Sequence, residues 1–534
     1  MEALNAFQYN GTYAKLNTVL GTDVSTFLST FSAWKGLVLL LCLSWGASSV
    51  STNRRVRVAG APVHGYWSWF EPTWFFKLRY AKDAHKWIES GYHKYKDHPF
   101  VLRRQDHDIT ILPTKYVNEL RSIPNTKLSR GRANFLEWGD QWAMHTLWAH
   151  SEWPVKAISE NRNGQMGKYL EAIRRELDYA YQAEMPQVDD WTEIDIQHVI
   201  SKVLVRIIGK MIVGNPACRS KEWLNLGYTE DFVAASLIMR FLPPWMHPIF
   251  TNIIPQRKRL RKGVQTVRKI IEPAVTRHLE IKKKRAQGLE VEEEDSMLNW
   301  VIDNADDEVL KNLPQIVLVM FVPAAHTTSM AISNVLFDLC QHPKWAGELR
   351  DEITGVTKEF GPIGQNLPVR EWTMKLDRLD SFFQESQRLS QPISITPNRY
   401  AYESVTFKDG LTIPKGALVG FVAIHNQIDP EIAPDPQVFD PMRSYRKRHS
   451  SPEEKDKHLA GQPSKENFAF GYGAQACPGR NYAVSVLKMV LSRILVDYEI
   501  KSIDGHKSPT KYHLMEFIIP DPTAKLMMRK RKTP

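Results

Sequence analysis

The sequence predicts a mainly α-helical protein with a smaller β region, folded as a single domain behind an N-terminal membrane anchor. Three observations carry that expectation. Helical periodicity dominates from about residue 142 to 300 and resumes in a long apolar stretch, "PQIVLVMFVPAAHTTSMAISNVLFDLCQH", over 314–342. Strand-like pieces are short and bounded by turn residues. Near the front, "FLSTFSAWKGLVLLLCLSWGASSV" (27–50) holds Lys35 as its one charge and reaches the roughly 20 residues that span a bilayer.

In chain order, residues 1–26 come first and are mostly neutral. A cleaved signal would need a basic start and a small-residue cleavage site, so 27–50 reads as an uncleaved transmembrane anchor. Arg54, Arg55 and Arg57 follow it, and positive charge on that side keeps the remaining chain cytoplasmic. The first 26 residues are then luminal, where the sequon at Asn10 is open to glycosylation. Residues 51–70 form a basic, Pro/Gly-containing spacer, and 71–534 the globular domain. Within it, "PFVLRRQDHDITILP" (99–113) reads as a strand pair, and "ESVTFKDGLTIPKGALVGF" (403–421) as strands joined by turns. The stretch 314–342 is apolar nearly all round and belongs in a protein interior. His326, its Thr and Ser residues and Pro323 argue against lipid, and Pro323 should bend the helix because it removes one backbone bond.

Four scattered cysteines with no C-x-x-C pair exclude a disulfide framework and a cysteine zinc site. The net charge of +11 is spread along the chain without a nucleic-acid-binding motif, which excludes nucleic acid and leaves an anionic membrane or an acidic protein as partner.

The chemistry concentrates at "NFAFGYGAQACPGRNYAVSVLKMV" (467–490). Gly471, Gly473 and Gly479 permit tight turns and close approach of backbone to a flat ligand. Apolar residues at Ala483, Leu487, Val490, Leu491, Ile494 and Leu495 then mark a helix, so Cys477 stands at a helix entrance, where backbone N–H groups favour an anionic sulfur. Such a thiolate suits an axial metal ligand or a catalytic nucleophile; the latter requires a histidine base nearby.

The frame F-x-x-G-x-x-x-C-x-G, filled by Phe470, Gly473, Cys477 and Gly479, resembles the haem-binding loop of cytochrome P450 monooxygenases. Further stretches agree in order and spacing. Glu385-x-x-Arg388 lies in "FFQESQRLSQP", and Arg443 lies in "PQVFDPMRSY" ahead of the cysteine. The resemblance implies that the three form a buried structural network. "PAAHTTS" (323–329) matches the dioxygen-binding segment of the long central helix, with Thr327 as the hydroxyl that bonds dioxygen and water. His326 stands where the family usually has an acid, and Ala324 where it usually has glycine. A histidine can still relay protons, since its unperturbed pKa is near 6.5.

By the same resemblance Arg399 contacts a haem propionate, and Gln475 takes a place usually held by arginine or histidine for that purpose. Trp153 and Lys156 are candidates for the other propionate, in either of two registers. The substrate pocket is expected to draw on Phe321, Val322 and Ala325, the turn at Ile393 and Ile395, and a late hairpin near Phe517. The resemblance, closest to fungal microsomal members, implies haem b with its iron on Cys477, and electrons from NADPH through cytochrome P450 reductase. It also implies consumption of O2 at the endoplasmic reticulum membrane, the protein being single-pass with a cytoplasmic catalytic domain. The implied reaction is hydroxylation, epoxidation or successive oxidation of a lipophilic terpenoid, meroterpenoid or indole-terpenoid. A haem-thiolate isomerase, a haem sensor, a fatty-acid or xenobiotic hydroxylase and an anchored cysteine hydrolase remain alternatives.

Overall fold

The structure is a computed structural model. It describes residues 56–532 apart from 68–70, 105–106, 139–151, 161–165, 243–246, 504–508 and 510, together with residues 36, 38, 42 and 43. Asn10 and most of the expected anchor lie outside the described residues. Chain contacts divide it into two units: residues 1–55 with 66–79, and residues 56–65 with 80–534. In the small unit, Glu71 binds Arg79 through both carboxylate oxygens at 2.8 and 2.9 Å, and Arg79 also stacks over Trp67.

The large unit has a six-stranded sheet built from β1 (Val63–His64), β2 (Phe100–Arg103), β3 (Asp108–Ile111), β4 (Leu128–Ser129), β6 (Ile395–Ala401) and β9 (Leu418–Val422), in the order β1-β2-β3-β9-β6-β4. The 99–113 stretch is the antiparallel pair β2–β3, with Phe100 opposite Ile111. β6 and β9 are buried along almost their whole length, as expected for central strands covered on both faces. β7 (Val405–Thr406) and β8 (Thr412–Ile413) form a small hairpin beside them. A second, three-stranded sheet joins β5 (Thr192–Ile194), β10 (Tyr498–Lys501) and β13 (Leu526–Lys530). β5 is a short strand within the stretch where helical periodicity dominates, and its partner is the far end of the chain. β11 (Tyr512–Leu514) and β12 (Phe517–Ile519) make a last hairpin.

The helices that position the site are α1 (Thr73–Lys94), α2 (Arg130–Glu137), α3 (Trp153–Glu160), α4 (Met166–Glu184), α5 (Ile196–Val213), α6 (Tyr228–Phe241), α7 (Leu313–Gln341), α8 (Asp377–Leu389), α9 (Ile424–Gln427), α10 (Arg443–Arg448) and α11 (Arg480–Asp497). α7 is the central one and packs against α5, α8 and α11. Its length and hydropathy would allow it to cross a membrane, yet most of its apolar window is buried inside the protein, as the sequence led us to expect. It runs unbroken through Pro323, so the proline does not end it. α11 is buried on nearly all sides, and even Lys488 is enclosed, held by Asp380 at 2.7 Å.

Candidate active site

The Cys477 loop is a tight turn tied at both ends. The Cys477 N–H donates to the Phe470 carbonyl at 2.8 Å, closing the loop, and Arg480 Nη1 donates to the Cys477 carbonyl at 2.9 Å. α11 starts three residues later, with Gly479 as N-cap and no side-chain cap, so its first N–H groups remain available. Gly473 (φ +73°) is fixed by two constraints: the left-handed backbone, and Arg121, whose Cα would lie 2.7 Å from an added Cβ. Nothing lies within 4 Å of the corresponding position at Gly479, so that side of the loop faces open space. Among the other cysteines, burial pushes Cys218 and Cys340 up to about 12, which makes both inert thiols.

Arg399, on β6, is 1% exposed. Its Nη1 and Nη2 donate to the carbonyls of Asn398 (2.6 Å) and Tyr472 (3.2 Å), while its Nε is buried without a hydrogen-bond partner. No carboxylate pairs with it among the described residues. Burial and then the Arg130 guanidinium push it well below the ordinary arginine range. Two cations are therefore gathered at one buried corner beside the cysteine loop. Arg130 is the residue that sequence reading missed. Its Nη1 holds the Gln475 carbonyl at 2.9 Å, a contact between positions 345 apart that no local spacing announces.

Gln475 lies at the same corner and makes two hydrogen bonds of its own. Its Oε1 accepts from the Arg130 N–H at 2.8 Å, and its Nε2 donates to the Leu128 carbonyl at 2.7 Å. The amide is tied at both ends to the backbone entering α2, so it clamps the loop, with one N–H of Nε2 used by the Leu128 carbonyl.

On α7, His326 and Thr327 carry accessible surface in the middle of a helix otherwise enclosed by protein. With Val319, Pro323 and Ala331 they form one stripe at helical spacing, which implies a void against that face. Thr327 Oγ1 donates to the Pro323 carbonyl at 2.7 Å, leaving its lone pairs toward the void. Desolvation lowers the pKa of His326, with Glu230 on α6 acting the other way, so the ring is neutral at pH 7. Glu230 is a second residue absent from the sequence reading. Phe321, Val322 and Ala325 are instead buried in the main core, where Phe321 packs on Trp223 at 4.6 Å between centroids. The expected pocket residues are thus out of phase: the accessible stripe is the neighbouring one.

Glu385, Arg388 and Arg443 come together. Arg388 grips Glu385 through Nε and Nη2 at 2.9 and 2.7 Å, and its remaining donors reach the carbonyls of Pro436 and Val438. Arg443 Nε approaches Glu385 at 3.4 Å, and the Asp440 N–H donates to it at 2.9 Å. Ile393 and Phe517 are joined by an antiparallel bridge, which brings the β11–β12 hairpin to the turn after α8. Ile395 is 1% exposed and paired with Val422 inside the sheet, so it does not line a pocket. Trp153 packs on Trp300, and Lys156 is exposed over Trp153 with Glu152 at 3.9 Å. Lys156 makes no described contact with the Arg399 corner.

These features fit a flat, thiolate-ligated group bearing two carboxylates. Cys477 would supply the sulfur, Gly479 the open face and Arg399 and Arg130 the counter-charge, while the His326–Thr327 stripe offers the accessible polar groups of α7.

Comparison with known proteins agrees. Residues 152–528 match the family model described as Cytochrome P450. The chain is 61% identical to Cytochrome P450 monooxygenase sdnB of Sordaria araneosa, covering 100% of this chain and 99% of that one. It is 36% identical to Cytochrome P450 monooxygenase ATR4 of Stachybotrys chlorohalonatus (96% and 98%), and 31% identical to an Ent-kaurene oxidase of Gibberella intermedia (94% and 92%). Among solved structures, retinoic acid bound cyanobacterial CYP120A1 superposes with a TM-score of 0.63 at 16% identity, covering 89% of this chain and 100% of that one.

Proposed function

The chain belongs to the cytochrome P450 family and is a haem-dependent monooxygenase, and from that premise we propose that its substrate is a lipophilic terpenoid-type metabolite. Two kinds of observation support this reading: relatives named Ent-kaurene oxidase at 30–31% identity, and the apolar residues Val319 and Ala331 on the accessible stripe of α7. Members of the family use O2, a redox partner and lipophilic substrates. The finer partners we propose are NADPH–cytochrome P450 reductase and the endoplasmic reticulum membrane, with 27–50 as a single-pass anchor, residue Asn10 luminal and the catalytic domain cytoplasmic.

Bound haem supplies the oxygen chemistry, by which one atom of O2 enters a C–H or C=C bond of the substrate and the other leaves as water. The protein's part follows from its residues. The Cys477 thiolate would hold the iron, its charge favoured by the open N-terminus of α11. Arg399 and Arg130 would hold the propionates and lose their mutual repulsion in doing so. Thr327 Oγ1, its own proton donated to the Pro323 carbonyl, would accept a proton or hydrogen bond from the void side, and neutral His326 beside it can accept or donate one at neutral pH. Glu385, Arg388 and Arg443 hold the α8 end rigid against the loop that leads to the cysteine.

The observation that carries this reading is Arg399, a buried guanidinium without a carboxylate, placed beside the Cys477 loop. The test is a reduced, CO-bound spectrum of the full-length protein, followed by turnover with reductase, NADPH and a panel of diterpenes. We expect the thiolate-type band and an NADPH-dependent oxygenated product. Cys477→Ala should abolish the band, and its persistence would refute the ligand assignment. Thr327→Ala should divert NADPH to peroxide and lower product roughly tenfold, the worth of one well-placed hydrogen bond.

A further inference from the structure

Away from the haem corner, four histidines gather where α1, α9 and β11 meet. His85, Glu89 and His93 follow one another at intervals of four on α1 and so share a face. His425 comes from α9, and its ring lies 6.4 Å from that of His93. His513, on β11, stacks on His85 at 4.3 Å with an interplanar angle of 27°. One ligating atom from each of Glu89, His93 and His425 lies within 4.8 Å of the other two. His425 and His85 each bury an Nδ1 that has no hydrogen-bond partner, an uncommon condition for a polar atom inside a protein. No lysine or arginine pairs with Glu89 among the described residues. The nearby acids Asp429 and Glu431 are already occupied by Lys96, at 3.0 and 2.8 Å.

We propose that Glu89, His93 and His425 form a site for a divalent transition-metal ion of the zinc type. Two imidazoles and one carboxylate are a borderline donor set that suits Zn2+ and leaves a position for water. Mg2+ and Ca2+ prefer oxygen ligands alone. The ion would join α1 to the corner between β9 and α9. The His85–His513 stack sits alongside, on the hairpin whose Phe517 bridges Ile393.

The experiment is calorimetric titration of the full-length holoprotein, its affinity tag removed, with Zn2+ and separately with Mg2+. We expect one Zn2+ per chain and no comparable Mg2+ binding. His93→Ala should weaken Zn2+ binding about tenfold or more. His425→Ala should do the same, and Glu89→Gln should weaken it less. His449→Ala, at an exposed histidine near Asp377, should leave it unchanged. His93 is exposed, so its variant should fold, and an unaltered CO spectrum checks that. Wild-type Zn2+ affinity in His93→Ala, equal binding of Mg2+, or loss of the site in His449→Ala would each overturn the proposal.

Discussion

Arg388 and Arg399 are both buried arginines in the same stretch of chain, and their surroundings are opposite. Arg388 meets a carboxylate in two parallel hydrogen bonds and directs its other donors to carbonyls, so its charge is cancelled within the protein. Arg399 meets only carbonyls, keeps one nitrogen without a partner and has a second cation beside it. A buried charge without a partner is costly, and folded proteins seldom retain one. The difference separates scaffold from binding site: where protein charges close on themselves the residues hold shape, and where they do not, the missing anion is the ligand's. The Glu385 network and the Arg399 corner are therefore different kinds of object, although both stood in the sequence as arginines of one family pattern.

The largest effect should come from breaking the closed network. Glu385→Ala strands Arg388 and Arg443 in the interior and should cost about 3–5 kcal/mol. Chemical denaturation, or failure to accumulate folded protein, reads this directly. Glu385→Gln keeps the shape and should cost less. If Glu385→Ala were nearly neutral, the network would not be the scaffold that its geometry indicates.

The open corner should respond with the opposite sign. Arg399→Met removes a charge that the haem-free protein cannot satisfy, so the haem-free form should be as stable or more stable. Haem retention should fall at least about tenfold, which is about 1.4 kcal/mol, because a charge-assisted contact is gone. The two measurements are denaturation without haem and the rate of haem transfer to an acceptor protein. Equal destabilisation of both forms would place Arg399 with Arg388, and the contrast would collapse.

What the sequence made legible depended on how local the signal was. The Cys477 loop, the strand pair at 99–113 and the Glu385–Arg388 spacing are short-range patterns, and each was readable. The phase of α7 was not. Its sequence is apolar all round, with no amphipathic stripe to say which face meets the void, so Phe321, Val322 and Ala325 looked like pocket residues on type alone. In the fold, Trp223 claims Phe321 for the core. Arg130 and Glu230 were invisible for another reason. Their roles rest on contacts made across the fold, from α2 to the cysteine loop and from α6 to α7, and nothing in their own neighbourhoods reports them.

Gln475 supplies the smallest and most discriminating test of the contrast. Read as a member of the cysteine loop, it stands where a charged propionate partner is expected, and an arginine there would tighten haem binding. In the structure its amide joins the Arg130 N–H to the Leu128 carbonyl. Gln475→Arg removes the acceptor at Arg130 and adds a third cation to a corner that already holds two. Lost side-chain bonds of this kind are worth about 0.5–1.5 kcal/mol each, so haem release should quicken a few-fold. Gln475→Leu, which removes both bonds without adding charge, should fall between wild type and Gln475→Arg. Slower haem release from Gln475→Arg than from wild type would show that the side chain reaches the anion after all, and that the open corner extends to the loop itself.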